Sequence, residues 1–228
     1  MKMKRRDQAY FMRYFGLSDR QLAGVLMVLA GSVILMGIIS AEALYPDTYT
    51  THDNEISDLG ATRPPNSIIH QPSATVFNIT MMVSGTALIA SSFLIHRAYG
   101  VRSVTVLIAL LGIGALGVGV FPGNKDPFHP IFALMAFLSG GIAALASAKV
   151  QTRPSRFISM LLGTIVLLAL LVGLSGEPSN VVDELGDGGV ERWIAYPVVL
   201  WLVAFGGYLM NANSVDEAAD VPIAHART

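Results

Sequence analysis

An all-α, polytopic membrane bundle of six transmembrane helices, with N- and C-termini cytoplasmic, is the fold class this sequence predicts. Three observations predict it. The first is composition: of 228 residues, 53% are hydrophobic and only 14% charged, where a soluble domain carries roughly 25% charged residues. The second is pattern. Six apolar runs lie at about 22–43, 74–95, 103–121, 130–148, 157–174 and 193–211, each near the roughly 20 residues that cross a bilayer as a helix. The third is where the charges fall. The segments before the first run, between the second and third, between the fourth and fifth, and after the sixth hold 12 basic and 5 acidic residues; the alternate segments hold 3 basic and 11 acidic. Lys and Arg concentrate on the cytoplasmic side of membrane proteins, so the longer, acidic loops face outward. The net charge of −1 is thus the residue of two opposite halves. This composition excludes a water-soluble enzyme and a disordered chain, and the near-neutral total gives no basis for a nucleic-acid partner. With no cysteine, disulfides, thiolate metal sites and cysteine nucleophiles are excluded as well.

Each element has local support. Residues 1–21 are expected to form a cytoplasmic interfacial segment, because Tyr10-Phe11-Met12-Arg13-Tyr14-Phe15 mixes aromatic rings with nearby bases, as a helix lying on the inner leaflet does. The first run follows a basic stretch and contains Ala41-Glu42-Ala43, a possible cleavage signal. Its apolar core is nevertheless too long for a signal peptide, and it is taken as a retained span. Ser18 with Gln21 reads as a capping box opening that helix. The second run carries Ser84, Gly85, Ser91 and Ser92, and the third Gly112, Gly114, Gly117 and Gly119. The fourth has two small-residue rows, Ser139-Ala143-Ser147 and Gly140-Ala144-Ala148. Helices in lipid approach closely at such residues, so the central contacts are expected there. Asp126-Pro127 predicts an N-cap followed by proline at the first helical position. Pro197 predicts a kink in the last span, since it cannot donate to the carbonyl of Trp193. Together the runs make a transmembrane domain over 22–211, followed by a polar tail at 212–228 without periodicity, expected to be disordered.

Polar residues at or inside a membrane boundary are costly unless they meet partners or a wet cavity, and those on the acidic side are the candidates for function. Asp58, His129 and Glu191 are the candidate catalytic groups, acting as base, metal ligand or second acid. Asn78, Arg192, Arg63 and Ser57 are candidate ligand-binding groups, with the two arginines suited to a phosphate. His52, Asp53 and Glu55 lie close enough in sequence to contribute, whereas Glu42 can reach the surface at little cost. If the second, fourth and sixth helices meet, Asp58, Asn78, His129, Glu191 and Arg192 surround one outward-opening pocket. Such a set could hold a divalent metal and activate water, or bind a lipid headgroup. Simpler roles stand beside these: an interfacial ion pair for Glu191 and Arg192, an interhelical hydrogen bond for Asn78, a helix-end donor for His129. No Gly-x-Ser-x-Gly elbow, phosphate loop or helical zinc motif is present.

The run Glu55-Ile56-Ser57-Asp58-Leu59-Gly60-Ala61, then Asn78, Phe121-Pro122 with His129-Pro130, and Glu191-Arg192 opening the last helix, resembles a prokaryotic membrane family catalogued as domain of unknown function 998. The likeness spans about residues 20–211. It implies a six-helix membrane protein with polar signatures on the outer side and no particular activity. A more distant similarity is to the seven-helix membrane hydrolases that include alkaline ceramidases and progestin-type receptors, which gather Ser, Asp and His around zinc. Ser57, Asp58 and His129 could be cast in those roles, but the paired His-x-x-x-His of a late helix is absent here.

The function expected is a multi-pass cell-membrane protein that binds a lipid, through its headgroup, or a membrane protein partner at the acidic outer face. The alternatives are a membrane-embedded hydrolase or transferase acting on lipid at the outer leaflet, and a small transporter. The last requires a polar path between leaflets, yet no acid lies in the middle of any span.

Overall fold

A computed structural model describes residues 16–46, 48–175 and 180–219, with side chains at 183–211 of the last stretch. The interfacial segment expected at 1–21 falls largely outside the described residues. Six helices carry the chain: α1 (Asp19–Ala43), α2 (Ser73–Tyr99), α3 (Arg102–Val120), α4 (Phe128–Ser147), α5 (Ser155–Ser175) and α6 (Asn180–Ala219). Each contains a stretch long and apolar enough to cross a membrane, and no strand occurs among the described residues. The final helix runs past 211 into the segment expected to be a disordered tail, while 220–228 lie outside the described residues.

The helix ends follow their local chemistry. At α1, Gln21 N–H donates to Ser18 Oγ at 3.3 Å and Ser18 N–H to Gln21 Oε1 at 3.0 Å, the reciprocal box expected. At α4 the start differs from expectation by one position. Pro127 is the capping residue, Phe128 is the first helical one, and Asp126 makes no capping bond. The physical reason is that the backbone already supplies an acceptor, since the His129 N–H reaches the Lys125 carbonyl at 3.0 Å. In α6 the break falls at Gly186, with φ 69° and ψ 169°, a left-handed φ that glycine adopts without the Cβ penalty other residues incur. Pro197 stays within the helical run, so the expected kink site is displaced toward the acidic end.

The helices form a ring in chain order, with α6 closing against α1 and also touching α4 across the middle. The seams are set by small residues. A Cβ placed on Gly24 of α1 would stand 2.5 Å from the Gly206 carbonyl of α6, and one on Gly114 of α3 would stand 2.6 Å from the Ala136 amide of α4. One on Gly117 would overlap the Phe132 ring. Without water to expel, this close backbone approach is what holds helices together in lipid. At the opposite end from the acidic loops, Arg97 pairs with Asp19 at 2.9 Å. There Trp201 donates to Ser147 Oγ at 3.2 Å, tying α6 to α4. Large side chains such as Leu161, Leu171 and Leu174 point outward and are more than 60% exposed, a surface suited to acyl chains and not to water.

A polar-mouthed slot as the candidate functional site

The acidic end is organised by one arginine. Residues 44–72 fold back over the start of α6, and the Arg192 guanidinium reaches up into them. Its Nη1 donates to the carbonyls of Thr51 (3.2 Å), Asn54 (3.0 Å) and Gly188 (2.9 Å), and its Nη2 to Glu42 Oε1 (2.6 Å) and the Tyr49 hydroxyl (2.7 Å). Tyr49 in turn donates to the Glu55 carbonyl at 3.1 Å. Burial pushes the Tyr49 phenol up, although Arg192 beside it pulls the other way, so the hydroxyl stays protonated and keeps that donor. The loop therefore has a preset shape. Tight packing completes it, since any side chain at Gly186 or Gly188 would collide with the backbone of His52 or of Asn54.

Glu191, one residue before Arg192, faces elsewhere, because neighbours on a helix point about 100° apart. Its carboxylate accepts the Ile56 N–H at the start of a short 3-10 turn, Ile56–Leu59. The expected Glu191–Arg192 ion pair is thus replaced by two separate attachments of α6 to the loop: Arg192 to Glu42, and Glu191 to Ile56. Glu42, weakly rated from sequence, is the arginine's anionic partner.

Beside Glu191 a slot of about 500 Å³ opens between α4, α5 and α6. Its mouth is polar, with Glu55, Ser57, Arg63, His129, Asp183, Asp187 and Glu191, and its wall is apolar, with Ala133, Leu134, Phe137, Leu170 and Ile194 among others. Below the mouth a smaller chamber of about 60 Å³ is bounded by Ser57, His129 and Glu191 together with Ile34, Phe77, Val118 and Ala136. His129 is almost fully buried. Its Nδ1 stands 2.7 Å from the Phe121 carbonyl at the end of α3. A carbonyl only accepts, so Nδ1 carries the proton and Nε2 of the neutral ring is left as the acceptor.

The sequence candidates divide accordingly. Ser57, Arg63, His129 and Glu191 come together around the slot. Asp58 does not line it: its carboxylate accepts from the Glu55 N–H at 3.2 Å and Asn54 Nδ2 at 3.3 Å, holding the loop's own turn. Arg192 faces the loop and is not among the lining groups. Asn78 also stays outside: α2 reaches the lower chamber through Phe77 and Met81, and Asn78 lines neither cavity. Its Oδ1 lies against Gly60 and has no hydrogen-bond partner. The expected single pocket is corrected on this point, since Asn78, one position from Phe77, leaves its helix in a different direction. Arg63 is paired, Nη2 reaching the two Glu55 oxygens at 2.6 and 2.7 Å.

Asp183 and Asp187 belong to the mouth and were not assigned to it from sequence, whereas Glu55 was named there as able to contribute. A signal for part of it existed: His129, Ala133 and Phe137 repeat every four residues along α4, and Asp187, Glu191 and Ile194 fall at the same kind of spacing after Gly186. As for metal, no three His, Asp or Glu side chains among the described residues gather as ligands. Among those residues the donor set does not fit the divalent ion considered from sequence.

No curated protein and no solved structure matches the chain. Residues 28–208, from within α1 to near the end of the membrane-crossing part of α6, match the family described as protein of unknown function (DUF998). That match takes in every helix and the whole polar-mouthed slot, and the chain belongs to this family of multi-pass membrane proteins.

Proposed function

We propose that the protein binds a membrane amphiphile, with the head in the polar mouth and the chain along the apolar wall. The observation that carries this is the two-part lining of one slot: charged and hydroxyl groups at its end, and Ala133, Leu134, Phe137, Leu170 and Ile194 beneath them. Ligand pockets of 300–1,000 Å³ with a few polar groups on an apolar surface are the usual form of a small-molecule site. Here the slot opens beside α5, the least buried helix, so a lipid can enter sideways from the bilayer. The charge distribution supports a cell-membrane protein with the acidic end outward and both termini cytoplasmic, in keeping with a transmembrane unit at 22–211 between an interfacial segment and a tail. The test is lipid retention by the full chain purified in mild detergent. Mass spectrometry should find bound lipid, and Leu134→Trp, which adds bulk at a half-exposed wall position, should release it while the protein stays folded. A lipid-free wild-type protein, or equal retention by the variant, would overturn the assignment.

A second reading is favoured by His129, whose accepting Nε2 belongs to a buried ring that lines the slot with Ser57 and Glu191. That is the composition of a general-base site, suited to hydrolysis or group transfer on a bound lipid. It requires that His129→Gln abolish a lipid conversion while lipid retention survives. A transport role draws no support from the packing, because Phe132 fills the space at Gly117 between α3 and α4.

A further inference from the structure

We infer that the slot selects an amphiphile whose head is a primary ammonium, an inference that rests on the lipid-binding assignment above and adds the chemistry of the head. The mouth contains four carboxylates, Glu55, Asp183, Asp187 and Glu191, and one guanidinium, Arg63. Arg63 is taken up by Glu55, both carboxylate oxygens lying within 2.7 Å of its Nη2. The acidic-end ion pairs are Arg63–Glu55, Arg192–Glu42 and His52–Asp53, and none among the described residues includes Asp183, Asp187 or Glu191. An anionic headgroup would therefore meet Asp183 and Asp187 before it met a free cation.

The hydrogen-bonding sense of the mouth agrees with its charge. Carboxylates only accept. Ser57 directs its hydroxyl toward Glu55 at 3.4 Å, which turns its lone pairs away from that group. His129 is 4% exposed and lines both the slot and the chamber below it. With Nδ1 committed to the Phe121 carbonyl, its remaining nitrogen is an acceptor. Apart from Arg63, every polar group at the mouth thus offers lone pairs and needs donors. An alkylammonium supplies three N–H donors and a positive charge on one small atom, and its chain continues onto the wall formed by Ala133, Phe137 and Leu170. An alcohol head supplies one donor and no charge. A carboxylate head supplies neither.

The experiment is a binding comparison on the full chain in neutral maltoside detergent, with three probes of equal chain length: dodecylamine, dodecanol and dodecanoate, followed by native mass spectrometry and competition. The amine should bind at least tenfold more tightly than the alcohol, with the carboxylate weakest. Asp187→Asn should narrow the amine-to-alcohol ratio severalfold, and Asp187→Asn with Glu191→Gln should bring it close to one. Gln keeps an oxygen for the Ile56 N–H, and the single Asp187 variant does not touch that bond. Equal binding of all three probes, or tightest binding of the carboxylate, overturns the ammonium inference and leaves the amphiphile slot standing. Failure of all three to bind overturns both.

Discussion

The α4–α5 pair behaves in two ways along its own length. Midway, a Cβ on Gly163 of α5 would stand 2.7 Å from the Gly141 carbonyl of α4, a seam as close as those joining α1 to α6 and α3 to α4. Toward the acidic end, Ala133 and Phe137 on α4 and Leu170 and Gly173 on α5 line the slot. Both regions are apolar, and the difference lies in whether glycine faces glycine. Where it does, backbones meet and dispersion contacts hold the pair. Where it does not, the same membrane setting leaves a space that a lipid chain can fill. Close seams hold the bundle, and the proposed binding slot lies where one of them ends.

That contrast can be broken most strongly at a seam. Gly85 of α2 lies 2.6 Å, measured from an added Cβ, from the Gly112 carbonyl of α3, and the Leu116 amide is closer still. Gly85→Val should cost about 3 kcal/mol, the upper range for overpacking a filled interior, seen as a large drop in the unfolding midpoint in detergent. Gly207, with nothing within 4 Å of an added Cβ, is the control: Gly207→Ala should leave the midpoint unchanged or raise it slightly, because alanine is the better helix former.

Removing the loop's staple should have the next largest effect. Arg192→Met leaves Glu42 without its cation and three carbonyls without their donor. Loss of one member of a buried pair costs 3–5 kcal/mol, and Glu42 is partly exposed, so about 2 kcal/mol is expected. Limited proteolysis should then cut within 48–72 well before the helices unfold.

At the slot, Leu134→Trp should change stability by less than about 0.5 kcal/mol, as for surface substitutions, while eliminating lipid retention. A stability loss comparable to that of Gly85→Val would show the slot to be another seam. The Arg63–Glu55 pair is exposed on the arginine side, and Arg63→Gln should cost under about 1 kcal/mol.

The smallest effect is that of pH at His52 and Asp53, paired at 2.6 Å on the loop surface. The hydrogen bond that His52 donates to Asp53 raises the His52 value above its usual 6.5, and the same bond lowers Asp53 below 3.8. The histidine contribution is full below pH 6.5 and fades as pH rises through the raised value. The aspartate contribution is full above pH 3.8 and fades as pH falls through the lowered value. Loop protection should therefore be highest between those limits, and hydrogen exchange at 50–54 across pH 3–9 measures it. Protection that stays flat over that range would show that the pair adds nothing to the loop's order.

The spans, the α1 capping box and the glycine-bearing faces were legible because each depends on residues within one or two turns of each other. Ser57, Arg63, His129 and Glu191 were legible as candidates for a related reason: polar groups stand out against an apolar chain. Their division into slot and staple was not legible. Glu42 meets Arg192 across 150 positions, and nothing local to either residue names the other. Asn78 illustrates the opposite error. It is polar, inside a span and near the right end, yet its side chain lies against Gly60, while its neighbour Phe77 reaches the chamber.

By itself, then, the amino-acid sequence determined that this chain spans a membrane six times and divides its charge between two ends. Length, hydropathy and charge position are one-dimensional properties, and a bilayer acts on them directly. Only the tertiary structure decided which polar residues share a cavity. That depends on helix order around the ring and on the direction each side chain takes from its helix, so that Glu191 faces the slot while Arg192, one position on, holds the loop that forms its mouth.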